Sequence, residues 1–309
     1  MAEVSIIIPA YNAAEFISET LASVAAQTFT DHEVIVINDG SPDTEDLERD
    51  LKCYPARLRY IKQENRGAAA ARNLGLRAAA GEYVAFLDAD DTWLPDFLEK
   101  QIALLKSANA DLVYADALLF GESPLDGKTF MELQPSRGDV TPEKLLAVEV
   151  TVLTSTVLAR REPILEVGLF DEEIKRGHDF DLWLRLAKRG ARFAYQREVL
   201  GRHRIVESSL SGDAISQLER TVSVFEAIKS KELLTASENA ALQVSLDRTL
   251  RELAVENGKE KLLRRDFDGA RQSFEEAKRF RHSWKLILVS FGLKVAPEML
   301  WRIYNRRLV

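Results

Sequence analysis

Three carboxylates in four positions, Asp88-Ala89-Asp90-Asp91, close the apolar run Tyr83-Val84-Ala85-Phe86-Leu87. Like charges this close raise one another's pKa and cost free energy unless a cation offsets them. Oxygen ligands of this kind suit Mg²⁺ or Mn²⁺, which are often held by one or two carboxylates together with substrate phosphates. The cluster predicts a divalent-metal and phosphate site. The competing reading makes one of these residues the N-cap of a helix over Trp93–Lys106, a common role for Asp.

The elements that would carry this cluster can be read from hydrophobic periodicity. Val4–Ile8 and Glu33–Asn38 are β-branched runs of the kind buried on both faces of a sheet. Leu58–Ile61, Tyr83–Leu87 and Leu112–Tyr114 are further strands, with helices predicted over 15–26, 44–51, 68–80 and 97–107. This alternation predicts an α/β fold, a mostly parallel sheet sandwiched by helices. Ligands of such sheets bind at the carboxyl ends of the strands. Ala10-Tyr11-Asn12, Asp39-Gly40-Ser41 and the Asp88–Asp91 cluster are therefore expected on one rim.

Past residue 115 the alternation breaks. Gly121–Val140 reads as a long loop, and Thr151–Ala159, apolar and β-branched, as a return to the sheet. His178–Ala187 has helical spacing and stops at Gly190. From Asp213 the pattern is all helix, over 213–230, 236–257 and 267–280, and Leu263–Ala277 has the texture of one helical-hairpin repeat. The expected organisation is a domain over 1–212 and a helical domain over 213–309.

Composition narrows the class. The 309 residues are 46% hydrophobic and 29% charged with a net charge of −7, which argues against nucleic acid as a partner. The single cysteine, Cys53, supports neither an internal disulfide nor a thiolate metal cluster, and favours a reducing compartment. A membrane span needs roughly 20 apolar residues. The best stretch, Leu286–Leu293, is bounded by Lys285 and Lys294. The start, Met1-Ala2-Glu3, lacks a basic leader, so a cytoplasmic location is expected, at the inner face of a membrane if the tail touches one. Residues 278–309 hold eight basic side chains against one acidic, a surplus of seven that leaves −14 on residues 1–277. Apolar residues alternate with these cations, as in interfacial helices. The segment reads either as a peripheral membrane contact or as a packed helix with a solvated basic face.

Five ordered motifs now carry a resemblance. Ser5-Ile6-Ile7-Ile8-Pro9-Ala10-Tyr11-Asn12, Val36-Ile37-Asn38-Asp39-Gly40-Ser41, Asn65-Arg66-Gly67 through Ala71-Arg72-Asn73-Leu74-Gly75, the Asp88–Asp91 cluster, and Gly168-Leu169-Phe170-Asp171 with His178-Asp179-Phe180-Asp181-Leu182-Trp183 resemble the family 2 glycosyltransferases of GT-A fold over about residues 3–210. The resemblance implies a Rossmann-like GT-A domain. It also implies an inverting hexosyltransferase-type enzyme that moves a sugar from a nucleotide-sugar, usually a UDP-sugar, to a glycan, lipid-linked or protein-linked acceptor in cell-envelope polysaccharide synthesis.

By the same resemblance Pro9, Tyr11, Asp39 and Arg72 hold the base. Asp88 serves the ribose or the metal's waters, and Asp90, in the position of the DXD motif, ligates Mn²⁺ or Mg²⁺. The chemistry is apt, because Asp can accept an imide N–H, Arg can donate to base carbonyls, and an aromatic ring can cover a base. Asp179 is the implied general base, although an Asp at a helix start is also a standard N-cap. Asp181 reads as a structural hydrogen-bonder. His178 stands where the family usually has Glu; it reads as a donor to acceptor hydroxyls or as a half-exposed loop histidine. Arg202-His203-Arg204 with Ser208-Ser209 resembles the family's closing element, a flexible diphosphate lid with His203 as a metal or phosphate contact. The alternative function is a catalytically silent nucleotide-sugar-binding or scaffold protein.

Overall fold

Ile6, Ile7 and Ile8 are all fully buried, yet they serve two different cores. In strand β1 (Val4–Ala10) the side chains alternate between faces, so Ile6 and Ile8 enter one cluster and Ile7 the other. β2 (His32–Asp39) does the same, with Val34 and Val36 on one side and Ile35 and Ile37 on the other. The unbroken apolar runs are the signature of a sheet covered on both faces.

The computed structural model describes residues 2–52, 54, 58–121, 124–134, 136–205, 214–231, 233–280 and 283–305. The chain divides into two compact units, 1–209 and 210–309. In the first, the remaining strands are β3 (Leu58–Gln63), β4 (Tyr83–Phe86), β5 (Thr92–Trp93), β6 (Leu112–Phe120), β7 (Leu158–Arg160) and β8 (Phe193–Arg204). Together they form one sheet in the order β3-β2-β1-β4-β7-β6-β8-β5. β3, β2, β1 and β4 run parallel, whereas β7 is antiparallel to both β4 and β6. Helices α1 (Ala14–Ala25), α2 (Thr44–Leu51) and α4 (Phe97–Ser107) cover one face; α3 (Ala68–Ala78) and α8 (His178–Lys188) cover the other. Short helices α5 (Phe130–Leu133), α6 (Pro142–Leu146) and α7 (Arg161–Glu166) lie between β6 and α8.

Two expectations change. Only the end of Thr151–Ala159 joins the sheet, because Thr154–Thr156 form a 3₁₀ turn. There the Thr156 hydroxyl donates to the Ala115 and Leu153 carbonyls, at 2.9 Å each, and competes with ladder pairing. The competing helix over Trp93–Lys106 gives way to the one expected over 97–107, which forms at Phe97–Ser107. Pro95 disfavours helix at the residue before it, and Thr92–Trp93 pair instead with Gly201–Arg202 of β8.

The second unit is helical: α9 (Ala214–Lys231), α10 (Ala236–Leu263), α11 (Phe267–Phe280), α12 (Trp284–Val295) and α13 (Pro297–Asn305). α10 runs six residues past its expected end at Asn257. Its start is fixed by a capping box between Thr235 and Glu238. Leu262, Phe274, Ala277, Leu286 and Leu293 form the core of this unit. No helix among the described residues is long and apolar enough to cross a membrane. Cys53, Ser208 and Ser209 lie outside the described residues.

Gly75 lets α3 lie directly on β1: a Cβ there would sit 2.4 Å from Ile7 Cγ2. Gly75→Ala is expected to lower stability by about 1–3 kcal/mol through overpacking, measured by urea unfolding. Unchanged stability would contradict this close approach.

Candidate active site

The parallel strands end together. Leu87 N–H donates to Ile7 O at 3.1 Å, and Ala10 is in register with Asn38, so the residues after β1, β2 and β4 share one rim. A cleft of about 690 Å³ opens there, lined by Pro9, Tyr11, Asp39, Arg72, Asp88 and Asp90 among others. Six of the eight site residues expected from sequence therefore line one cavity. Asp179 and His203 do not line it.

The loops at the rim are tied to each other. Gly40, at φ 65°, makes the turn after β2; a Cβ there would meet Asn65 N at 2.6 Å. Ser41 Oγ accepts the Asn12 N–H at 2.6 Å and Asp43 Oδ2 the Ala14 N–H at 2.8 Å, which clamps the β1–α1 turn beside Tyr11. Asp39 is 3% exposed and accepts three N–H groups, from Gln63 Nε2, Arg66 N and Gly67 N at 2.6–2.9 Å. A carboxylate has about four lone-pair positions, so Asp39 retains one for a ligand. Tyr11, 54% exposed, presents its ring at the cleft.

The three clustered aspartates have separate fates. Asp91, 1% exposed, accepts from His203 Nδ1 at 2.9 Å and from Arg204 N at 2.8 Å. Asp88 is paired with the Arg72 guanidinium. Burial pushes the Asp88 carboxyl up, but Arg72 outweighs it and holds the group below the usual carboxylate range. The Asp90 carboxylate has no cationic side chain bonded to it among the described residues. Burial first, then the neighbouring Asp91 and Asp88, push it up to about 7. None of the three caps a helix: the N-cap of α4 is Asp96, five residues past the cluster. Among the described residues no three His, Cys, Asp or Glu side chains form a metal cage. The residues nevertheless fit a Mg²⁺- or Mn²⁺-type ion, because Asp90, with Asp88, supplies the one or two carboxylates such ions need beside phosphate oxygens.

His203 corrects an expectation. Residues 202–204 are not a flexible lid but the end of β8, paired with β5 and β6. Arg204 donates to the Asp90 carbonyl at 3.0 Å, pairs with Glu19, and lies over the Phe16 and Phe120 rings. Burial works to lower the His203 pKa, but Asp91 beside it more than offsets this, pushing it up to about 9. His203 is thus the cation that balances Asp91.

His178 is likewise neither a half-exposed loop residue nor a free donor. It is 9% exposed, opens α8, and its Nε2 lies 2.8 Å from Arg72 Nη1. A guanidinium only donates, so Nε2 must be the unprotonated acceptor. Burial, and then Arg72, lower the His178 pKa in keeping with a neutral ring. Among the described residues, Nε of Arg72 has no hydrogen-bond partner. Arg72, 6% exposed and with its guanidinium 5.8 Å from the Phe170 ring centroid, thus links Asp88 at the cleft to the residue preceding Asp179.

Asp179 is not the N-cap of α8, since Gly177 occupies that position. Asp179 Oδ1 accepts the Phe180 N–H and Oδ2 the Thr154 hydroxyl, both at 2.9 Å. Thr154 escaped the sequence reading; the signal was a hydroxyl pair, Thr154-Ser155, inside an apolar run. Ser155 Oγ also accepts the Asp88 N–H, at 3.2 Å. Asp181 is structural: it takes Arg185 at 2.7 and 2.9 Å, and Arg185 in turn binds the Val167 and Leu169 carbonyls.

A match to the family described as Glycosyl transferase family 2 spans residues 5–167. An uncharacterized glycosyltransferase of Rickettsia typhi is 32% identical over 260 residues, 82% of this chain and 79% of its own length. A UDP-Glc:alpha-D-GlcNAc-diphosphoundecaprenol beta-1,3-glucosyltransferase of Escherichia coli is 29% identical over 219 residues, 70% of this chain and 83% of its own. A mannosyltransferase of Pyrobaculum calidifontis, solved with GDP-Man and Mn²⁺, superposes with a TM-score of 0.67 at 20% identity, over 98% of this chain and 83% of that one. At that identity the likeness establishes the fold, which is GT-A.

The His203–Asp91 pair makes stability depend on pH. A histidine raised from 6.5 to about 9 contributes fully below 6.5 and loses its contribution as pH rises through 9. Urea unfolding without added metal is expected to show wild-type stability falling across that window more steeply than His203→Gln. Parallel pH profiles would contradict the pairing.

Proposed function

The chain belongs to glycosyl transferase family 2, whose members are sugar transferases, and from that premise we propose that it is an inverting, metal-dependent enzyme using a UDP-sugar. The observation that carries the reading is Asp90: a half-buried carboxylate at the rim of a cleft, crowded by two others, with no cationic side chain bonded to its carboxylate among the described residues. The UDP-sugar assignment draws support from the E. coli relative's name.

In this reading Pro9 and Tyr11 cover the base. The last free lone pair of Asp39 accepts its N–H, and Arg72 holds Asp88 toward the ribose. Asp90 with Asp88 would hold a divalent ion, which as a Lewis acid offsets the charge that grows on the departing diphosphate. Asp179 takes the proton from the acceptor hydroxyl as that oxygen bonds to the anomeric carbon and the bond from that carbon to the diphosphate breaks. Inversion requires attack from the face opposite the leaving group, so the base must come from a different element than the aspartate cluster, and α8 provides it. Thr154 fixes which carboxylate oxygen turns outward, and His203, through Asp91, holds the strand end behind the cluster. Transfer resides in residues 1–212. The acceptor is a glycan on a lipid or protein carrier in cell-envelope polysaccharide synthesis at the cytoplasmic face, and residues 278–309 make peripheral contact with that membrane.

Calorimetry and turnover separate the roles. Asp90→Ala is expected to lose the Mn²⁺-dependent part of UDP affinity; unchanged affinity removes the metal assignment. Asp179→Asn is expected to bind UDP normally while turnover falls roughly 10²- to 10⁴-fold, and near-wild-type turnover removes it as the base. A thermal-shift screen of nucleotide-sugars with Mn²⁺ identifies the donor, since a ligand of the folded state raises the melting temperature. Binding without transfer from any donor would establish the silent-binder alternative.

A further inference from the structure

α12 (Trp284–Val295) is apolar on two opposite sides, and only one of them is covered. Leu286, Ser290 and Leu293 are buried on the side that packs with Phe274 and Ala277 of α11. Trp284, Ile287, Leu288, Phe291 and Val295 are exposed, from 48% to 68%. At 3.6 residues per turn these five fall in a stripe about 100° wide. Lys285 and Lys294 stand at its two borders, both exposed. In α13, Met299 is exposed as well, at 63%. A helix apolar all round is normally buried all round, so the outer stripe needs a partner.

We propose that the outer face of α12 and α13 lies in the headgroup region of an anionic lipid bilayer, with Trp284, Leu288, Phe291 and Val295 reaching the acyl chains. The charges around the stripe select this partner. Lys285, Lys294 and Arg302 are its exposed cations. Its exposed acid, Glu298, is paired with Arg265 at 3.2 Å. Long lysine stems at the borders of an apolar stripe lie along it while their ammonium groups stay among lipid phosphates. A second copy of this chain would bring the same cations against themselves across a twofold contact, which disfavours it. At 12 residues α12 is about 18 Å long, which suits a helix lying in the interface rather than across it. The inference specifies the face and the lipid of the contact proposed for residues 278–309, and it is independent of the donor site, none of whose residues it uses.

Sedimentation of the full chain with vesicles tests it. The protein is expected to pellet with vesicles containing phosphatidylglycerol and to remain in solution with phosphatidylcholine alone. Trp284 emission is expected to shift to the blue on binding, and Trp284→Phe to lose that shift. Lys285→Ala with Lys294→Ala is expected to weaken binding roughly ten- to thirtyfold. Leu288→Glu with Phe291→Glu is expected to abolish it. All these positions are exposed, so melting temperature and UDP affinity are expected to stay at wild-type values, which keeps failure of this inference distinct from failure of the donor reading. No binding to the anionic vesicles, or equal binding to both kinds, would overturn the proposal. So would a concentration-dependent dimer that Phe291→Glu dissociates.

Discussion

The catalytic unit is organised around an imbalance of charge. Three carboxylates sit within four residues, and the fold supplies cationic side chains for two. Arg72 takes Asp88 and His203 takes Asp91, so both can be charged in a largely buried setting. Asp90, pushed up to about 7 by burial and by its neighbours, is left over. Burying a charge without a partner is costly, and the third carboxylate, left at the cleft, is the one a divalent cation is proposed to offset.

The same pairs join the two sides of the reaction. Arg72 reaches from Asp88 to His178, which opens the helix that carries Asp179. Thr154 and Ser155, adjacent in one 3₁₀ turn, hold Asp179 and the Asp88 backbone respectively. The carboxylates proposed for the donor side and the acceptor side are thus tied together by two short connections. A neutral histidine beside Arg72 leaves the guanidinium's charge to Asp88, whereas a glutamate there would compete for it.

Much of the fold was legible because it is written in local periodicity. Helices over 44–51 and 97–107 and the convergence of three strand ends on one rim follow from apolar spacing and turn residues. What was misread depends on pairing between distant segments. Arg202–Arg204 read as a lid because they resemble the family's closing element, but β5 and β6 hold them as strand. Thr151–Ala159 looked like a strand because β-branched residues favour one, but the Thr156 hydroxyl takes backbone partners of its own. His178 looked exposed because its sequence neighbours are polar; the group that buries it, Arg72, is 106 residues away. The outward stripe of α12 could be counted in the sequence, but which of its two apolar sides is covered required α11 in place.

If Asp90 is kept for a cation, metal binding must displace its proton. Calorimetric titration of Mn²⁺ in the presence of UDP at pH 7, repeated in buffers of different ionisation enthalpy, counts the protons released. A carboxyl with a pKa of about 7 is expected to give up roughly half a proton per ion, and Asp90→Asn to release none. Binding of Mn²⁺ with no proton release, or the same release from Asp90→Asn, would contradict the account.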